Sequence, residues 1–456
     1  MYDSFLAILS VVLIPIAVWW RRQTFNTGNK FLGYFLILFF AQGSLELLKL
    51  NQTLVRYIFE MPLIIYFFYN ILKYGYKRTP GDVCVGLFLF FSILSTIYTS
   101  GMMYLLFMQQ YLLVWVIFYC FYHATWSSED CDKFNQLFIW LTVSQIFAAI
   151  LKYAIIGICE PYIGTMSSHS GGLTTLFSLT GFTVCAIFYF CTHKKSLLWG
   201  MLGFVLFGLI GEKRALVFLL PAALLISFWI YSTITRQFGM SFFKKILVGI
   251  IVLPLLFYVM VRVNPSFNPE RKVWGTFDLE YTLDYAEKYN TGTLTKDKDN
   301  VGRSEAHVVF HEKILNDNLY HILFGYGTGL LVQSRFNPQL SQSESSVQKY
   351  SFQRWGIGYS ISIGYLNILA QVGFVGVFLY FMIFISFLID MYKGIMYMRD
   401  SVSISLGYGI SAFVCILIMI FLSITYNRSG FIFSPVSVLL MWLISYSYKQ
   451  LYSIEK

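Results

Sequence analysis

Charge is what this chain has least of. Of its 456 residues only 12% are Asp, Glu, Lys or Arg, while 57% are hydrophobic and the mean hydropathy is +0.63. Soluble domains carry about 25% charged residues, so this composition cannot cover a water-soluble surface, and most of the protein has lipid as its solvent. The seven cysteines are scattered, most of them in or beside apolar runs, and the long polar stretch near the C-terminal third has none. That excludes a disulfide framework and a Cys-rich metal site and leaves small buried hydrophobes. The N-terminal run at 4–20 lacks the order of a secretory signal, because Arg21 and Arg22 follow its apolar core instead of preceding it. It reads as the first membrane span. Ionisable residues within the runs are also few: Glu46, Glu60, Lys152 and, at an end, Arg262. A proton-coupled transporter needs a carboxylate near mid-membrane, and Glu60 is the one fair candidate.

What is present is apolar sequence in blocks. Runs long enough to cross ~30 Å of hydrocarbon as helix lie at 4–20, 31–48, 55–72, 82–99, 102–122, 136–157, 172–191, 196–211, 214–231, 246–262, 361–389, 403–424 and 430–447. Helix is the one open-chain way to satisfy backbone hydrogen bonds in lipid. The expected fold is therefore all-α, a polytopic bundle of about 12–14 spans. It divides into helices over 1–262, one large extracytoplasmic loop at 263–360, and helices over 361–456.

Loop charge gives the orientation. Alternate loops hold Arg21, Arg22 and Lys30; Lys73, Lys77 and Arg78; Lys133; Lys194 and Lys195; Arg236, Lys244 and Lys245; Lys393 and Arg399; and Lys449 and Lys456. The other short loops hold only Lys49, Arg56, Lys213, Arg214 and Arg428. The positive-inside rule makes the first set cytoplasmic and places 263–360 outside. The net charge of +10 thus has a topological origin and does not point to nucleic acid.

The loop contains a candidate helix over 301–323, with Ala306, Val309, Phe310, Ile314 and Leu315 near one face and Asn300 as N-cap. A Ser and Gln tract occupies 333–353. FGYGTG at 324–329 follows a helix and lacks the Lys-Ser/Thr of a phosphate loop, so it reads as a turn at a helix C-terminus.

Three of the outward cations are candidates for chemistry, and Arg214 among them breaks the charge asymmetry that the rest of the chain obeys. Arg214, in GEKRALVFLL, has two readings: an anion site that binds phosphate oxygens in a bidentate fork, or a snorkelling side chain paired with Glu212. Arg303 opens the loop helix, where free N–H groups and the positive dipole end favour phosphate; the alternative is a solvated charge. Arg428 is the third, and several such arginines at one border suit a lipid-linked pyrophosphate. His307 and His311 share a helix face flanked by Glu305 and Glu312, but HVVFHE is not the zinc-protease signature and no third ligand is evident. No metal is expected there; a general base or a structural role remains.

In architecture, and in three patches, the chain resembles the bacterial O-antigen polymerase and O-antigen ligase superfamily. The patches are GEKRALVFLLPAALL, with Arg214 before a late membrane helix; VGRSEAHVVFHEKILNDNLYHILFGYGTG, with Gly-Arg, a helix and a Gly-x-Gly turn; and SIGYLNILAQVGFVGVFLYF, with a Tyr-Leu pair ahead of Gly373 and Gly376. The resemblance implies a polysaccharide polymerase at the periplasmic face of the bacterial inner membrane, acting on undecaprenyl-pyrophosphate-linked oligosaccharides. It implies no cofactor and no nucleotide sugar; membrane lipid and a chain-length regulator protein are the other implied partners. Arg214 and Arg303 would stabilise the leaving pyrophosphate, with His311, His307 or Glu305 as base and Arg428 and Tyr365 in substrate binding. Where many members, the ligases especially, have a His before the Tyr-Leu pair, this chain has Ser362. That favours polymerase over ligase, with a lipid-linked-oligosaccharide flippase as the further alternative.

Overall fold

The computed structural model describes residues 8–47, 52–98, 101–157, 164–166, 171–236, 254–291, 301–331, 344–399, 404–427, 430 and 432–452. Among these there is no β-strand, and each of the thirteen apolar runs contains helix over most of its described part. After a short 3-10 turn, the first half comprises α1 (Ile14–Arg22), α2 (Thr27–Phe40), α3 (Gln42–Leu47), α4 (Gln52–Tyr74), α5 (Asp82–Leu94), α6 (Gly101–His123), α7 (Ser128–Ile156), α8 (Gly171–Thr192), α9 (Ser196–Ile210), α10 (Leu216–Thr235) and α11 (Pro254–Val263). The polar region adds α12 (Leu279–Thr291), α13 (Arg303–Leu315), α14 (Leu319–Phe324) and α15 (Glu344–Trp355), and the chain finishes with α16 (Gly364–Met398), α17 (Ile404–Thr425) and α18 (Pro435–Tyr452).

Six of these helices, α6, α7, α8, α10, α16 and α17, are both long and apolar enough to cross a membrane. The second run differs from a continuous span: it breaks at Ala41, and the short α3 follows. Pro62 and Pro221 lie inside α4 and α10, a use of proline that membrane helices tolerate because neighbours re-satisfy the freed backbone. At the centre, α8 packs against α9, α10 and α17, and α17 packs in turn against α16 and α18.

Hydrogen bonds sort the helix ends into two groups. At one end Asn26 Nδ2 donates to Thr125 Oγ1 (3.0 Å), the Lys77 N–H to Tyr119 Oη (3.2 Å) and Lys449 Nζ to the Ala124 carbonyl (3.3 Å). These belong to loops of the Lys- and Arg-rich set, so this is the basic end. At the other, Thr165 Oγ1 donates to the Phe40 carbonyl (2.7 Å), and Ser95 and Tyr320 hydroxyls donate to the Phe324 and Leu94 carbonyls. The polar region covers this loop end.

That cover holds more helix than its composition suggests. Helix α13 buries Ala306, Phe310 and Ile314, spaced one turn apart, with Phe310 edge-on to Trp355 of α15 (5.4 Å). Leu315, expected on that face, is instead 57% exposed, because the buried stripe follows i, i+4, i+8 and leaves i+9 on the far side. The N-cap is Gly302, without a side-chain bond, and the expected Asn300 lies outside the described residues. Both α12 and α15 arise in stretches too polar to show helical periodicity.

The FGYGTG turn does more than end α14. Helix α16 is interrupted at Gly373, whose φ is +64°, and a break frees carbonyls where water is scarce. The turn fills it: Tyr326 N–H donates to the Ala370 carbonyl (2.9 Å), Gly327 N–H to the Gln371 carbonyl (3.3 Å) and Gly329 N–H to Gln371 Oε1 (2.9 Å). A Cβ on Gly325 or Gly373 would lie 2.5 Å from Gln371 C or 2.4 Å from Leu323 C. The backbones approach so closely that only glycine fits.

A candidate anion site at the loop end

Arg214 leaves a tight turn one residue before the N-cap of α10. Its guanidinium lies over the rings of Tyr285 (5.5 Å) and Tyr289 (5.6 Å), one turn apart on α12. Glu212, the partner a snorkelling arginine would use, instead accepts a hydrogen bond from Ser266 Oγ (3.3 Å). Arg303, the first residue of α13, lies over the same Tyr289 (5.2 Å) and over Tyr426 just past α17 (4.3 Å). Its Nε is buried without a hydrogen-bond partner. Two arginines far apart in sequence therefore share one aromatic ring.

Both line a single cavity of about 330 Å³. Arg214, Arg303, Tyr289 and Asn290 line it together with Phe218, Leu219, Phe421 and Leu422 of α10 and α17. Phe218 and Phe421, from two membrane-type helices, are both exposed. Among the described residues that line the cavity none is a carboxylate. Stacking on an aromatic face holds a guanidinium plane through the cation–π attraction and leaves its in-plane N–H groups for anion oxygens. The uncapped N-terminus of α13 adds backbone donors. The chemistry on offer is binding of an anion that carries an apolar tail.

From Arg303 the same face of α13 continues through His307 and His311, at i+4 and i+8. Tyr365 of α16 stacks on both: its ring centre is 5.9 Å from His307 and 5.7 Å from His311, and its hydroxyl is 3.2 Å from His311 Nε2. Burial lowers the pKa of both histidines, and for His307 the neighbouring His311 lowers it further. Each ring is thus neutral at pH 7 and able to accept a proton. Glu305 is exposed and stands apart from this row. Arg428 lies outside the described residues. His307 and His311 have no third His, Cys, Asp or Glu grouped with them among the described residues.

The structure thus brings together Arg214 and Arg303 in one cavity and His307, His311 and Tyr365 in an adjoining row. Sequence reasoning missed Tyr289, Tyr285 and Tyr426. The signal for the first two was Tyr281, Tyr285 and Tyr289 at successive i+4 steps, obscured by the polar residues between them. No protein-family model matches the chain, and no curated protein matches it in sequence.

Proposed function

We propose that the protein is a glycosyltransferase that polymerises lipid-linked surface-polysaccharide repeats at the outer face of the bacterial inner membrane, with undecaprenyl pyrophosphate as leaving group. The observation that carries this reading is the shared cavity of Arg214 and Arg303, lined by both cationic and apolar side chains. A polyprenyl pyrophosphate likewise joins charge to hydrocarbon. The resemblance to the O-antigen polymerase and ligase superfamily supplies the sugar chemistry, and Ser362 in place of a histidine favours the polymerase.

In the reaction a non-reducing-end hydroxyl of one lipid-linked repeat attacks the anomeric carbon of the chain on another. A C–O bond forms, the anomeric C–O bond to pyrophosphate breaks, and its electron pair leaves with the pyrophosphate. The hydroxyl proton passes to a base, for which neutral His311 is the best placed residue. Pyrophosphate is already a good leaving group, so the protein's tasks are orientation and stabilisation of developing negative charge. Arginines perform the second task by charge-assisted hydrogen bonds.

The test is a purified preparation given only lipid-linked repeat units in the presence of a chelator. The expected outcome is a ladder of lengthened chains and release of undecaprenyl pyrophosphate. No extension under any condition, with transfer of intact repeats across a vesicle membrane, would instead favour the flippase. That second reading draws on the break at Gly373, since transporters bind substrate at interrupted helices. Here the freed carbonyls accept from Tyr326 and Gly327 N–H groups, which leaves them less available to a transported ion.

A further inference from the structure

A second cavity, of about 610 Å³, lies at the opposite, basic end, between α2, α4 and α6. Lys73 and Lys77 contribute its cationic groups, and Asn26, Asn70, His123 and Thr125 its neutral polar ones. Among the described residues that line it there is no carboxylate. Lys73 Nζ is bonded to Tyr69 Oη at 3.1 Å and lies over the Tyr69 and Tyr74 rings at 5.4 and 5.0 Å, which positions the ammonium at the rim. Tyr69 both lines the cavity and is exposed on the outer face of α4. It continues a stripe with Ile65, Phe68 and Leu72, at helical spacing, of which Leu72 is 86% exposed. An apolar track thus runs along the outside of α4 up to a cationic, hydrogen-bonding chamber at the helix end.

We infer that this chamber is a binding site for the phosphate-bearing headgroup of an anionic glycerophospholipid, whose acyl chains lie along Ile65, Phe68 and Leu72. Charge complementarity and continuity with the lipid-facing stripe select this occupant over a soluble anion. A soluble anion would use the lysines and leave the track uncovered. The volume falls in the ~300–1,000 Å³ range of small-ligand sites, larger than a single phosphate needs and suited to a polar headgroup with its glycerol. Lysines near a membrane surface attract anionic lipid individually and additively. The site is separate from the arginine cavity and does not depend on the proposed transferase activity.

The experiment is native mass spectrometry of the detergent-purified full chain titrated with phosphatidylglycerol or phosphatidylcholine. Wild-type protein is expected to retain phosphatidylglycerol in clear preference. The double variant Lys73→Ala/Lys77→Ala should bind it roughly thirtyfold more weakly, about fivefold per lysine. Lys73→Arg/Lys77→Arg should retain binding, which separates lost charge from lost folding. Lys194→Ala/Lys195→Ala, at the same end but outside the chamber, should also leave it unchanged. Equal retention of the two lipids, equal weakening by both alanine pairs, or full competition by glycerol 3-phosphate at equal concentration would overturn the inference, the last by making the site one for a soluble phosphate.

Discussion

The two ends of the molecule use cations in opposite ways. The basic end is rich in lysine and arginine, and the side chains of Lys73, Lys77, Arg78, Lys194 and Lys195 are all exposed. At the loop end the short loops hold few cations, and there Arg214, with Arg303 of the polar region, is drawn in among Tyr285, Tyr289 and Tyr426. Surface charges set topology collectively, and each is individually replaceable. A cation held in a partly dry cavity is expensive to keep unless it has an anion to meet, and there its interactions are strengthened by low dielectric. The comparison therefore predicts large single-residue effects at the loop end and small ones at the basic end.

Proton transfer offers the largest contrast. Loss of a general base costs about 10²–10⁴-fold, and His311→Gln should lower the polymerisation rate within that range. His193→Asn, an exposed histidine at the basic end, should leave the rate unchanged. Burial holds the folded pKa of His311 below the ordinary 6.5. Its neutral, proton-accepting form thus persists as pH falls and is lost only through that lowered value. The acid limb of kcat/KM should lie below 6.5 and disappear in His311→Gln. A limb above 6.5, or one that survives the substitution, would remove His311 as base.

Next in size are the arginines. Removing one charge-assisted contact to the leaving pyrophosphate should cost about 2 to 4 kcal/mol, or roughly thirtyfold to a thousandfold in rate. Arg214→Lys and Arg303→Lys should fail nearly as badly as the alanine variants, because an ammonium keeps the charge but loses the bidentate fork and the stacking plane. The double variant should lose less than the sum of the singles, since both residues act on one group. Lys194→Ala and Lys195→Ala are expected to leave the rate as it was. Wild-type chain lengths from well-expressed Arg214→Ala and Arg303→Ala proteins would take both residues out of the site.

The same contrast explains how much the sequence disclosed. The thirteen apolar runs were legible because hydrocarbon permits one backbone solution, and all are mainly helical where described. Arg214 stood out because it breaks the charge asymmetry of the short loops, and Arg303 because it opens a helix in the polar region. Tyr289 did not, because a tyrosine in a segment of Asp, Glu, Lys and Asn looks solvated until α12 folds against α13. The break at Gly373 was hidden for the converse reason. QVGFVGVF is apolar apart from Gln371, and only the docking of Tyr326 and Gly327 at Ala370 and Gln371 distinguishes it from continuous helix. The basic-end chamber is a gap between three helices, and no one run carries its signature.

The smallest predicted effect tests whether the arginines need their aromatic support. Tyr289 is the one ring beneath both guanidinium groups, so Tyr289→Leu should keep the apolar volume while removing the π face from each. Partly desolvated cation–π contacts are worth about 0.5 to 2 kcal/mol, which converts to roughly twofold to thirtyfold in rate. Tyr289→Phe retains the face and should lose less. If the ring serves to hold the guanidinium planes for the transition state, Tyr289→Leu should lower kcat with little change in KM. If it serves only to pack α12 on α13, the variant should instead lose abundance and thermal stability while its surviving fraction turns over normally. At the basic end, Lys133 lies 5.6 Å from the Phe25 ring and is already paired with Glu129, so Phe25→Leu removes a comparable contact from a cation that has no substrate anion to meet. A rate loss in Phe25→Leu equal to that in Tyr289→Leu would mean that the arginine cavity has no special claim on the chemistry.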